Sequence, residues 1–263
     1  MQQPPTKKFI ASVQYLRGLA ALGVVFCHYG YNFKSYPNLS AFFNFGQTGV
    51  HLFFLISGFI IVYSLTNSGY KTNRFFTFLL KRSIRIDPPY YVVIALTLLL
   101  YYILSLVANV APIPVIAGQL VAHIFYLVPF TKYPFYIHVF WTLSVEFQFY
   151  ILIGLGYFLS DNRWFKNGFL LIFAFSSFIN WPNAYYLVFN YATIFSAGIS
   201  LSVLYHDRRW HNALLPVLFL SLSAYKFGIS IGILLLAGSL WILFLINELN
   251  RLKYWATFLT RCI

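Results

Sequence analysis

Six stretches of this chain, at 12–31, 48–66, 89–108, 139–159, 184–205 and 228–247, run on with almost no charged side chain. Each is close to the length of about 20 residues that a helix needs to cross the hydrocarbon core of a bilayer. Two shorter apolar segments, 168–181 and 213–225, cross if they tilt little or sit where the bilayer thins. A water-soluble fold cannot hide such surface. Sixty per cent of the residues are hydrophobic and 9% are charged, whereas about a quarter of a soluble domain is charged. The expected fold class is therefore all-α, a polytopic transmembrane helical bundle forming one domain over residues 1–263. No soluble domain, low-complexity linker or internal repeat is visible, so the sequence gives no support to an inverted-repeat transporter architecture.

A ninth stretch, 112–130, is long enough to span but holds Pro112, Pro114, Gly118, His123 and Pro129, which suits a re-entrant or interfacial segment. The distribution of basic residues decides between the two readings. With eight spans and both termini in the cytoplasm, only Lys34, Lys132 and Lys226 of the 18 basic residues face outward, a partition of 15 to 3. If 112–130 spans, everything downstream inverts and the partition becomes 10 to 8. The eight-helix arrangement follows. The net charge of +13 is what one-sided retention of lysine and arginine produces, so no nucleic-acid partner is inferred. Lys7 and Lys8 precede an apolar run without a small-residue cleavage site, which marks an uncleaved first helix rather than a signal peptide. Cys27 and Cys262 have neither disulfide-framework nor metal-ligand spacing, and no metal is expected.

Ionisable groups within spans each need a partner or a task, because insertion costs a few kcal/mol, about 2.5 to 3.5 for Arg or Asp. The first span holds Arg17 and His28. Eleven helical residues make three full turns plus about 20°, so both leave on nearly the same face, about 16 Å apart along the axis. The plainer alternative is that Arg17 snorkels to the inner surface while His28 bonds a neighbouring helix. Glu146 is the only acidic residue well inside a span, at a depth resembling that of His28. A carboxylate beside an imidazole orients the ring and raises its basicity, so the two read as base and orienter; a structural His–Glu clasp is the alternative. His51 lies in the outer half of the second span as a cavity-lining or interfacial residue, and Ser57 and Gly58 fit close helix packing. The loop between the second and third spans is the densest basic cluster. Its Arg82 and Arg85, three apart, share a face if helical and suit phosphate, while Pro88 and Pro89 mark the entry to the third span. His123, His138, His206 and His211 read as solvated.

Arg17 and His28 within Tyr15-Leu-Arg17-Gly-Leu-Ala-Ala resemble the first-helix signature of the acyltransferase-3 family of membrane acyltransferases. Three more blocks follow in the family's order: Gly49-Val-His51-Leu-Phe-Phe-Leu-Ile-Ser57-Gly58-Phe59, Arg82-Ser-Ile-Arg85-Ile-Asp-Pro88-Pro-Tyr90, and Trp141-Thr-Leu-Ser-Val-Glu146-Phe-Gln-Phe-Tyr150. The resemblance implies acyl transfer at a bacterial inner membrane, from acetyl-CoA bound on the cytoplasmic side to a hydroxyl of a surface or periplasmic glycan or lipid-linked sugar. It implies His28 and Arg17 at the transfer centre, Glu146 in support, and Arg82 and Arg85 at the coenzyme phosphates. Two departures accompany it. His51 stands where the family often has an acidic residue, and closing helices expected after the eighth are not seen by Ile263, so the chain is expected to be C-terminally truncated relative to the family. A transporter or flippase using His28 and Glu146 as a proton relay is the competing class, and an inactive acyltransferase remnant is the third.

Overall fold

The structure is a computed structural model. It describes residues 7–30, 36, 38, 39, 43, 45–108 and 110–259, with backbone alone for 7–12 and 245–259. Lys34, Arg261 and Cys262 lie outside the described residues. Those described form nine helices and no strand: α1 Lys7–Gly30, α2 Thr48–Asn67, α3 Phe75–Val107, α4 Ala117–Ile124, α5 Trp141–Leu152, α6 Arg163–Phe175, α7 Ala192–His206, α8 Leu214–Phe227 and α9 Ile229–Leu259. Eight of them overlap the eight apolar segments. The ninth, α4, falls in 112–130 and its 8 residues reach only about 12 Å, too short to cross. Thr48–Asn67, Thr72–Val107, His138–Tyr157 and Val188–His206 are each long and apolar enough to span. The short α6 and α8, of 13 and 14 residues, reach about 20 Å.

The chain folds into two compact units. The first contains α1, α2, α7, α8, α9 and the end of α6. Its centre is the α2/α7 pair, where Leu55, Phe59, Ile194, Phe195 and Ile199 are fully buried. Two glycines set the spacing. A Cβ on Gly58 would stand 2.5 Å from the Phe195 carbonyl oxygen, and one on Gly198 would meet the Leu55 carbonyl oxygen. Backbone therefore touches backbone, the small-residue packing by which apolar helices associate when no hydrophobic contrast with lipid exists. Phe54 packs against Tyr191 and Phe195, with ring centroids 4.8 and 4.9 Å away.

The second unit holds α3, α4, α5 and most of α6. One expectation is corrected here. Pro88 and Pro89 do not open the third helix; they lie inside the 33-residue α3, which begins at Phe75. A proline removes one ladder bond, the one to the carbonyl four residues back, and membrane helices tolerate this where neighbouring groups satisfy the freed oxygen. Arg82 and Arg85 consequently sit on a helix and not in a loop. The α5 helix continues as a π-turn, Ile153–Tyr157, and Gly154 within it admits α3. A Cβ there would stand 2.8 Å from the Phe75 ring and 3.3 Å from that of Phe78.

Candidate active site

Side chains of α3 between residues 75 and 90 meet α5 and the turns that flank it, between residues 154 and 140. Phe75 and Phe78 close on Gly154 at one end, and Tyr90 meets Phe140 edge-on, centroids 4.6 Å apart, at the other. Between these contacts lie the charges. The Arg82 guanidinium carbon stands 5.6 Å from the Phe78 ring centre and 5.9 Å from that of Tyr150, within the range of a cation–π interaction. The Tyr150 hydroxyl donates to Glu146 Oε1 at 2.6 Å, a short bond suited to a charged acceptor. Tyr150 is 3% exposed and sits four residues after Glu146, so both project from one face of α5. Arg82 and Glu146, placed by the sequence at opposite depths, are thus joined through one tyrosine ring. Arg85 lies one turn on from Arg82 and is exposed.

A second polar cluster adjoins this one within the same unit, and sequence reasoning missed it. His123, expected to be solvated, is 0% exposed. Its Nε2 accepts from the Tyr136 N–H at 3.3 Å, which leaves Nδ1 to carry the proton and donate to the Tyr90 oxygen at 2.8 Å. Burial lowers the basicity of the ring. Gln119 and His123, four residues apart on α4 and both buried, carry the signal that could have shown it: two polar groups on the inner side of a short helix. The same helix ends in a Schellman arrangement, with Leu127 N–H donating to the Ala122 carbonyl at 2.7 Å and Tyr126 N–H to that of His123 at 3.2 Å. Glycine usually takes the left-handed position, but here it is Tyr126, at φ 57°. Its ring offsets the strain by stacking between Tyr90 and Phe147, centroids 5.2 and 4.5 Å away, while its hydroxyl donates to Asp87 at 2.8 Å. Burial first, and then that bond to a carboxylate, hold the phenol protonated well beyond the usual range.

Arg17, His28 and His51 belong to the first unit. The unbroken helix α1 sets Arg17, half-buried, and His28, exposed, on nearly the same face. His51 is enclosed edge-on by Tyr191 and Phe227, with centroids 6.1 and 5.0 Å away, and its buried Nδ1 finds no hydrogen-bond partner among the described residues. Of the other histidines, His138 and His206 are exposed and His211 is half-buried.

These features define a helical membrane protein that brings basic, phenolic and acidic side chains together in its second unit. The profile of the acyltransferase domain family, acyltransferase-3, matches residues 10–263. The chain belongs to that family and is a membrane acyltransferase. Neither the curated proteins nor the solved structures contain a match to it.

Proposed function

We propose that the protein moves an acyl group, acetyl in the first instance, from acyl-CoA to a hydroxyl of a cell-surface or periplasmic glycan or lipid-linked sugar, and that it does so in a bacterial inner membrane. The observation that carries this reading is the contact chain of Arg82, Tyr150 and Glu146 within a family member. It sets a phosphate-suited cation beside a carboxylate in apolar surroundings, where charge–charge interactions are strong. Arg82 and Arg85 hold the phosphates of the donor. His28 takes the proton of the acceptor hydroxyl as its oxygen attacks the thioester carbonyl. The C–S bond then breaks, and the departing thiolate takes that proton back from the imidazolium. In the two-step variant the imidazole itself carries the acyl group between donor and acceptor. Glu146 acts in support, and Arg17 joins His28 at the transfer centre, on the helix face the two share.

The test is consumption of acetyl-CoA by membranes carrying the chain, compared with membranes carrying His28→Ala. Loss of at least about a hundredfold in turnover is expected for a general base. Turnover that survives the substitution overturns the assignment of His28. Absence of acetyl-CoA binding by the wild-type chain overturns the donor.

A further inference from the structure

We propose that Tyr150 is a positioning residue linking the donor-phosphate site at Arg82 to Glu146, so that holding the donor and supporting the transfer step are one structural act. The proposal rests on the acyltransferase reading above. It follows from what the two ends of this side chain touch.

The ring face and the hydroxyl of Tyr150 do different things. The ring lies beneath the Arg82 guanidinium at 5.9 Å, alongside the Phe78 ring at 5.6 Å. Phe78 in turn meets Tyr150 edge-on, with centroids 6.1 Å apart and planes at 75°. Two aromatic walls therefore fix where the guanidinium sits. The hydroxyl, at the far end of the same rigid ring, donates to Glu146 Oε1 at 2.6 Å. A tyrosine has only two rotatable side-chain torsions, and this one is 3% exposed. Displacement at one end must appear at the other.

The frame that holds Tyr150 is specific to this place. The π-turn at Ile153–Tyr157 begins three residues after it, and π-turns recur at functional sites because they rotate a helix face out of its regular register. Gly154 in that turn is where Phe75 and Phe78 enter. The irregular turn, the missing side chain and the two phenylalanines together bring Arg82 over Tyr150.

The two ends can be cut separately in the full chain, assayed in membrane vesicles with acetyl-CoA as donor. Tyr150→Phe keeps the ring and removes the hydroxyl. It is expected to leave KM for acetyl-CoA within about twofold and to lower kcat about tenfold, the loss of one hydrogen bond to a charged group. Tyr150→Leu removes both and is expected to raise KM about tenfold in addition. Adding Tyr150→Phe to Glu146→Gln is expected to cost nothing more in kcat, because the hydroxyl acts through the carboxylate. Wild-type kcat in Tyr150→Phe, equal KM in Tyr150→Phe and Tyr150→Leu, or additive losses in the double variant would each overturn the proposal. Direct binding of acetyl-CoA separates this from the underlying reading. If the wild-type chain does not bind it, the acyltransferase donor assignment falls, and the coupling with it. If binding is intact and equal in wild type, Tyr150→Phe and Tyr150→Leu, only the coupling falls.

Discussion

The α2/α7 contact and the α3/α5 contact are both helix pairs in apolar surroundings, and both close at glycine. At α2/α7 neither helix carries an Asp, Glu, Lys or Arg, and Gly58 and Gly198 bring backbone onto backbone. At α3/α5 a single glycine in a π-turn admits two phenylalanines instead, and beside them Arg82 meets the ring of Tyr150, whose hydroxyl bonds Glu146. The difference teaches what each glycine is for. At α2/α7 it permits approach and nothing else, whereas at α3/α5 it admits the rings beside which Arg82 meets Tyr150. Polar groups in lipid surroundings are costly unless satisfied, and at α3/α5 the Tyr150 hydroxyl supplies Glu146 with a partner.

The strongest way to break this comparison is to fill both glycines. Gly198→Leu is expected to prevent the α2/α7 contact and to cost more than about 3 kcal/mol, since backbone is what the new side chain meets. The measurement is the yield of monodisperse protein in mild detergent. At Gly154 the nearest atoms a new Cβ meets belong to the Phe75 and Phe78 rings and not to backbone, so the expected product of Gly154→Leu is a folded protein with weakened acetyl-CoA binding. Equal losses of folded protein would erase the distinction. Next in size, Arg82→Ala with Arg85→Ala is expected to weaken acetyl-CoA binding by at least about tenfold, as each charge-assisted bond lost costs about 1.5 to 3 kcal/mol. Isothermal titration of the inserted variant checks this, and unchanged affinity would reduce the pair to a topology signal.

Glu146→Gln sharpens the comparison at the other end of the chain of contacts. It is expected to slow turnover with little change in donor affinity, and its loss is not to add to that of His28→Ala if the two act together. Initial rates of the two single variants and the double variant decide it. The smallest effect concerns His123, whose basicity is lowered by burial. The folded protein then holds fewer protons than the unfolded chain as pH drops below the ordinary histidine value of about 6.5, so acid favours unfolding and stability returns on raising the pH. Thermal unfolding midpoints between about pH 7.5 and 5.5 are expected to fall less steeply in His123→Gln than in wild type.

The positions of the helices were legible because a run such as Leu52–Leu65 has one physical solution in a membrane, a helix whose backbone bonds are all internal. That 112–130 holds only a short helix, Ala117–Ile124, was legible from its prolines. The start of α3 was not. Pro88 and Pro89 read locally as a boundary, but a proline's cost is set by whether the freed carbonyls find partners, and that depends on the fold. His123 was misjudged for a related reason: one histidine says nothing about burial until Gln119, four residues before it, is read as its companion. Within the candidate site, Arg82 and Glu146 were found by type and rarity. Tyr150 passed as the last letter of a motif, although its spacing of four from Glu146 was enough to place the two side chains together. What no spacing could give was that Arg82 stands beside them, because that follows from the register of α3 against α5.

The C-terminal part of α3 bears on how the protein is made. From Leu96 to Val107 its side chains are largely exposed, among them Leu96 at 58%, Leu106 at 68% and Val107 at 76%. This stretch draws almost nothing from tertiary packing, so its helix is held by lipid and by its own backbone bonds. A nascent chain can therefore commit it to the bilayer as soon as it leaves the ribosome, before α5 has been synthesised. The charged half, residues 75–90, has no such independence, since Arg82 and Asp87 acquire Tyr150 and Tyr126 only when later segments arrive. The two ends of α3 thus differ in what they need: the hydrophobic end only the bilayer, the polar end the partners that later segments supply.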